Sequence, residues 1–148
     1  KQAKIEGLKV KVYYSAVATA FPAFSKVYGK SAENILGAGG VANTAKFQDY
    51  LKRLKAGTGV DGDYWGTPVY GALTELLTET IEKVGIDRAA ILKHIKSNVF
   101  DTLMGPVDLR KQNLPIWWTV GQWQNGVFEG VKGTGTSGEK SVKLKSGW

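Results

Sequence analysis

The chain has 148 residues, of which 43% are hydrophobic and 11% aromatic, enough apolar material for one core of ordinary domain size. It has a net charge of +7 and no cysteine, which excludes a disulfide framework, a thiolate metal site and a cysteine nucleophile. Apart from Lys52-Arg53 and Arg110-Lys111, the basic residues stand singly, whereas a nucleic-acid surface needs clustered cations. We therefore expect no nucleic-acid partner.

The first third of the chain predicts a strand, a helix and a second strand. Residues 8–14 alternate apolar and basic side chains, which is typical of a strand that enters a core. A helix is predicted from Pro22 to Tyr28, because proline suits a first helical turn. Residues 33–37 predict a short strand, and residues 37–40 are glycine-rich and predict flexible backbone.

Three successive helices are predicted in the middle of the chain. Asn43 or Thr44 can cap the first, Thr67 precedes a proline at the start of the second, and Asp87 can cap the third. Glycines 57 and 85 are expected to end the first two. The expected helical ranges are 43–56, 68–84 and 87–97.

The last third of the chain has one strong local signal. Residues 100–118 show neither a helical period nor a clean alternation, and Gly105-Pro106 lies in their middle. Asn125-Gly126 predicts a type I′ hairpin turn that follows a strand over residues 116–123. Residues 132–148, rich in Gly, Ser and Lys, predict a loosely packed tail, to which Val142 and Leu144 could add a short strand. Strands that alternate with helices indicate an α/β fold, with few strands for so many helices.

Three features could carry chemistry, and each has a plainer interpretation. Residues 133–138 match G-x-G-x-x-G, but no helix signal follows to bind a pyrophosphate. His94 is the single histidine and lacks a second one for a metal pair. Glu75, Glu79 and Glu82 lie on one predicted helix and fit a solvated face better than a catalytic pair. We expect no enzyme activity, metal site or cofactor.

The stretch from Asp63 to Pro68 places two large aromatic residues before a capped helix. A ring of Tyr64 or Trp65 can either cover the end of the helix or stack on a ligand in a cleft. Both interpretations stay open on the residues alone.

Three segments together resemble a known family. "GLKVKVYYSAVATAFPAFSKVYGKSAENILG", "DGDYWGTPVYGAL" and "FDTLMGPVDLRKQNLPIWWTVGQWQNGVF" are similar, in this order, to landmarks of the type I periplasmic binding proteins. These are the solute receptors of ABC importers related to the Leu/Ile/Val-binding proteins. The resemblance covers nearly the whole chain but less than half of such a protein, namely its C-terminal portion.

The resemblance implies an α/β fold of two lobes joined by three crossing strands. By this analogy, residues 1–37 are part of the second lobe, and residues 38–102 are the helical part of the first lobe. Residues 103–148 would cross the hinge and return to the second lobe. Gly105-Pro106 would then be a rigid joint at the crossing, where strand pairing is interrupted.

The resemblance also implies a ligand site. Trp65, with Tyr64 beside it, matches an aromatic residue that amino-acid-binding relatives place against the ligand. Val17 matches a glutamate that grips the ligand's α-ammonium, and a valine cannot pair that charge. Ala16, Val17 and Ala18 opposite Trp65 therefore favour a neutral or anionic ligand, such as an aromatic carboxylate.

The function implied is capture of a small organic ligand between two lobes for ABC-type import. The expected partners are that ligand, a membrane permease and the N-terminal part of the same protein. The expected location is the periplasm, or the cell exterior as a membrane-tethered protein in a Gram-positive bacterium. The alternative is a ligand-sensing domain of the same fold in a signalling or regulatory protein.

Overall fold

A computed structural model describes residues 1–39, 44–113, 119–132 and 139–148. Its α-helices are α1 (Gln2–Ile5), α2 (Pro22–Tyr28), α3 (Ala45–Thr58), α4 (Gly66–Val84) and α5 (Arg88–Ile95). Its strands are β1 (Leu36–Ala38), β2 (Val99–Thr102), β3 (Gly105–Asp108), β4 (Val120–Gln124) and β5 (Val127–Lys132). Short 3-10 helices span Val17–Ala20 and Gly29–Ala32. Among the described helices, none has the length and apolarity that a membrane span requires.

The larger sheet has the order β1-β4-β5, with both pairs antiparallel. Asn125 and Gly126 connect β4 to β5 with φ values of 54° and 77°, the two positive angles that a type I′ turn requires. The predicted hairpin is therefore confirmed. The strand predicted over residues 116–123 begins within residues 114–118, which are outside the described residues.

The predicted strand over residues 8–14 is wrong except at its last residue. Tyr14 forms a single parallel bridge to Leu36, and Val12 is 56% exposed. The second strand also starts later than predicted, at Leu36, because Asn34 takes a left-handed φ of 62° that ends the preceding 3-10 turn. The first two predicted strands are therefore reduced to a single bridge at Tyr14 and the three-residue strand β1.

The helices follow local capping signals closely. The Thr44 hydroxyl accepts a hydrogen bond from Phe47 N (3.2 Å), and Asp87 Oδ1 accepts one from Ala90 N (2.7 Å). Helix α3 continues past the predicted stop at Gly57 and ends at Gly59, whose φ of 73° suits a left-handed C-terminal cap.

The stretch around Gly105-Pro106 is a hairpin, so the predicted interruption of strand pairing there is wrong. Strands β2 and β3 pair antiparallel, with Asp101 opposite Pro106 and Thr102 opposite Gly105. Both strands are edges of a two-stranded sheet, a position where proline is tolerated. Glu75 Oε2 on α4 accepts a hydrogen bond from Leu103 N (2.6 Å), which fixes the hairpin turn to the helix.

The described end of the chain, residues 139–148, is anchored by specific hydrogen bonds, although most of its side chains are exposed. The Gln122 side chain donates to Lys143 O (2.7 Å) and accepts from Lys143 N (2.8 Å). The backbone of Lys143 is thus hydrogen-bonded to an amide side chain instead of to a neighbouring strand. Lys145 is 6% exposed, and its ammonium donates to Ser31 O (3.1 Å) and Glu33 O (2.9 Å). The predicted loose packing holds for most of these side chains, whereas the anchoring through Lys143 and Lys145 was not predicted, and Val142 and Leu144 form no strand.

Among the described residues, the buried apolar side chains include three clusters. Tyr64 packs against the first two and therefore connects the sheet to α3 and α4. The clusters contain Ala20, Ala32, Trp123 and Phe128; Phe47, Ala72 and Leu103; and Leu76, Phe100 and Val107.

Candidate functional site

The small-residue segment Ala16-Val17-Ala18 is held rigidly against β1. Thr19 Oγ1 donates to Ser15 O (2.9 Å), and Trp123 Nε1 donates to Thr19 O (2.7 Å). Strand β1 comes so close that a Cβ on Gly37 would lie 1.7 Å from Thr19 Oγ1. Thr19 is buried beneath the segment, whereas Ala16 and Ala18 are exposed and Val17 is half-buried. The segment therefore offers small, uncharged side chains on a fixed backbone.

The loop before α4 is organised by Asp63. Its Oδ1 atom accepts hydrogen bonds from Trp65 N (2.7 Å), Gly66 N (2.5 Å) and Thr67 N (3.3 Å). Its Oδ2 atom accepts one from the Thr67 hydroxyl (3.0 Å). Asp63, rather than Thr67, is thus the residue that caps α4. These three amides at the start of α4 already have an internal carboxylate partner, so an anionic ligand group has to be bound elsewhere.

Tyr64 joins this loop to the small-residue segment. Its backbone N–H donates to the carbonyl of Ala20 (3.0 Å), the last residue of the 3-10 helix that contains Val17 and Ala18. Its ring lies 5.9 Å from Phe47, 6.2 Å from Trp123 and 5.8 Å from Phe128 between centroids. Burial, with a smaller effect from the Glu129 charge, raises the pKa of the Tyr64 phenol above its ordinary value. Tyr64 therefore fixes the site's geometry through its backbone and its ring.

Trp65 is half-buried and faces the end of β1. A Cβ on Gly39 would lie 2.5 Å from Trp65 Cδ1, so the indole covers this glycine. The indole also lines a hollow of about 110 Å³ that is open to solvent, together with Gly66, Val69 and Tyr70. Cavities of roughly 150 Å³ hold a benzene ring, so this hollow can take part of a ring. Val69 and Tyr70 were missed by sequence reasoning, although helical spacing places Val69 one turn after Trp65.

The other residues considered for chemistry have structural contacts. His94 Nδ1 lies 3.3 Å from Asn98 Nδ2, and its ring packs against Phe100 with centroids 5.9 Å apart. Glu75 holds the β2–β3 turn. The G-x-G-x-x-G motif at 133–138 lies outside the described residues. Over the part of the chain that the structure describes, no group of three or more His, Cys, Asp or Glu side chains could hold a metal ion.

Known proteins resemble this chain in structure rather than in sequence. No protein-family model and no curated protein sequence matches it. The leucine-binding protein LivK from Thermotoga maritima superposes with a TM-score of 0.56 at 16% identity, over 81% of this chain and 36% of its own. An ABC-transporter solute-binding protein from R. palustris, solved in complex with benzoate, gives 0.58 at 16% identity, over 80% and 35%.

A third structure, an extracellular ligand-binding receptor from Rhodopseudomonas palustris HaA2, gives a TM-score of 0.52 at 19% identity, over 80% of this chain and 40% of its own. The chain has part of the type I periplasmic-binding-protein fold. It spans between 35% and 40% of the length of these three structures. The predicted partial α/β fold is thereby confirmed.

Proposed function

We propose that the chain is part of a solute-binding protein that captures a small organic ligand between two lobes for ABC-type import. The observation that carries this proposal is the hydrogen bond from Tyr64 N to Ala20 O, which joins the predicted aromatic pair to the 3-10 helix that contains Val17 and Ala18. It does so in a fold shared with a leucine-binding and a benzoate-complexed protein. Closure of such lobes around a solute stabilises the bound state.

The proposed lobes follow the predicted ranges, with residues 1–37 in the second lobe, residues 38–102 in the first, and residues 103–148 crossing the hinge and returning to the second. Antiparallel pairing of β1 with β4 supports placing their residues in one lobe. Helix α4 exposes a row of apolar side chains at Tyr70 (71%), Leu73 (39%) and Leu77 (46%). We propose that the N-terminal part of the same protein covers this row and supplies the opposite wall of the site.

The proposed ligand is neutral or anionic, with an apolar or aromatic body. Ala16, Val17 and Ala18 carry no charge, so a ligand ammonium placed there would lose its hydration without gaining a carboxylate. The partially enclosed indole of Trp65 favours a flat ring instead. A permease partner and a periplasmic or tethered extracellular location follow from the import role, and no catalytic step is proposed.

The test is a thermal-shift panel on the full-length protein with benzoate, other aromatic acids, leucine and valine. We expect aromatic acids to raise the melting temperature and the aliphatic amino acids to leave it unchanged. Val17→Glu restores an ammonium-binding acid and should move the preference toward amino acids, whereas Val17→Ile should not. Stabilisation by leucine or valine alone would contradict the proposed ligand class.

A further inference from the structure

A second cavity lies between α2 and α3, apart from the Trp65 hollow. Its volume is about 330 Å³, within the range of roughly 300–1,000 Å³ typical of small-molecule sites. Pro22 and Ser25 line it from α2, Leu51 lines it from α3, and Tyr64 and Trp123 contribute aromatic surface. The cavity is open to solvent and combines apolar surface with two helices that carry lysines.

The charge around this cavity is strongly positive. Lys26, Lys52 and Lys55 line it, and Asp61 is the acidic residue among the lining side chains described. Asp61 Oδ1 pairs with Lys55 Nζ (2.6 Å), and Oδ2 pairs with Lys26 Nζ (3.0 Å). Hydrogen bonds from Lys55 and then Lys26 hold the Asp61 pKa at about 2, so the carboxylate stays charged at neutral pH. Three lysine ammonium groups and one carboxylate therefore line the cavity.

Of the three lysines that line the cavity, Lys52 is the one whose ammonium group can bind a ligand without breaking an ion pair with Asp61. Among the described residues it makes no ion pair, whereas both other lysines share Asp61. A carboxylate at Lys52 would gain a charge-assisted hydrogen bond, while its apolar body could lie against Leu51 and Tyr64. A cationic ligand would instead meet like charge.

We propose that this cavity binds a small organic carboxylate with an apolar or aromatic body. The Lys52 ammonium binds the carboxylate, and Lys26, at the α2 side of the cavity, adds to the positive potential. Since α2 and α3 both contribute lining residues, an occupied cavity adds a link between these helices beside the Lys26–Asp61–Lys55 bridge. The cavity shares no lining residue with the Trp65 hollow. Tyr64, however, belongs both to this cavity and to the predicted aromatic pair, and by the proposed lobe ranges α2 and α3 belong to different lobes.

Because Trp65→Ala is expected to weaken the solute site only about 5–150-fold, the two sites are separated by titrating benzoate into the full-length Trp65→Ala protein with and without Lys52→Gln, with heat as the readout. We expect saturable binding that remains in this background, is absent for the neutral isostere benzamide and weakens with added salt. Adding Lys52→Gln should weaken it at least about tenfold, the scale of a lost charge-assisted hydrogen bond. The matched control Lys93→Gln, on the exposed surface of α5, should leave it unchanged.

A crystal structure of the Trp65→Ala protein soaked with benzoate gives the position independently. Density beside Lys52 and Tyr64 supports the site. The inference is overturned if Lys52→Gln binds benzoate as tightly as its parent, if benzamide binds equally well, or if no binding remains in the Trp65→Ala background. The last result leaves the proposed function intact, because it places all benzoate binding at Trp65.

Discussion

Replacing Gly37 by alanine tests whether β1 and the small-residue segment are packed as tightly as the structure indicates. The new Cβ would lie 1.7 Å from Thr19 Oγ1 and 2.8 Å from Thr19 Cβ. Thr19 is fully buried and its hydroxyl is held by Ser15 O, so the 3-10 helix itself has to move. Overpacking of this kind costs up to about 3 kcal/mol, and the better strand preference of alanine offsets about 0.5–1 kcal/mol.

The expected net loss for Gly37→Ala is about 2 kcal/mol in the free energy of unfolding, or roughly 4–8 °C in melting temperature for a protein of this size. Urea denaturation followed by circular dichroism measures it. Gly57→Ala is the matched control, because a Cβ there meets nothing within 4 Å in helix α3, and it should stabilise by about 0.5 kcal/mol. Equal stability of Gly37→Ala and the wild type would refute the close approach of Gly37 to Thr19.

Two further predictions concern the loops beside the site. Asp63→Ala removes the cap of α4 and should cost about 0.5–2 kcal/mol in the free energy of unfolding, while Asp63→Asn keeps an acceptor and should cost less; equal losses would show that the cap geometry is unimportant. Asp61→Asn should lower the melting temperature at pH 7. The carboxyl pKa is lower in the folded chain than the value of 3.8 that it has in the unfolded chain, so the charged carboxylate stabilises the fold at any pH above 3.8. That difference should disappear as the pH falls from 3.8 through about 2, and a constant difference across this range would exclude the Lys26–Asp61–Lys55 bridge as its source.

Local hydrogen-bonding signals made much of the fold predictable. Thr44, Asp87 and the Asn125-Gly126 turn each act on backbone within three residues, so the sequence contains both donor and acceptor. The wrong predictions concern segments whose conformation depends on contacts with residues that are distant in the sequence. Pro106 is tolerated because it faces only one partner strand, and the end of the chain is ordered by Gln122, which is 21 residues from its partner Lys143.

The candidate site divides in the same way. The position of Trp65 before a helix was readable from Asp63 to Pro68, since the capping pattern is local. The environment of Tyr64 was not, because Phe47 and Phe128 reach it from elements far apart in the sequence. The cation-lined cavity between α2 and α3 was missed for the same reason, since Lys26 and Asp61 meet only in the folded chain.

The central claim, capture of a solute at Trp65, is tested most directly by titrating the preferred ligand into full-length Trp65→Ala and Trp65→Phe proteins. We predict that Trp65→Ala weakens binding by about 1–3 kcal/mol, roughly 5–150-fold in Kd, because an aromatic ligand contact is lost. Trp65→Phe keeps a ring and should bind close to the wild type. Unchanged ligand affinity of Trp65→Ala, together with a lower melting temperature, would contradict the claim and show that the indole only covers Gly39 and the start of α4.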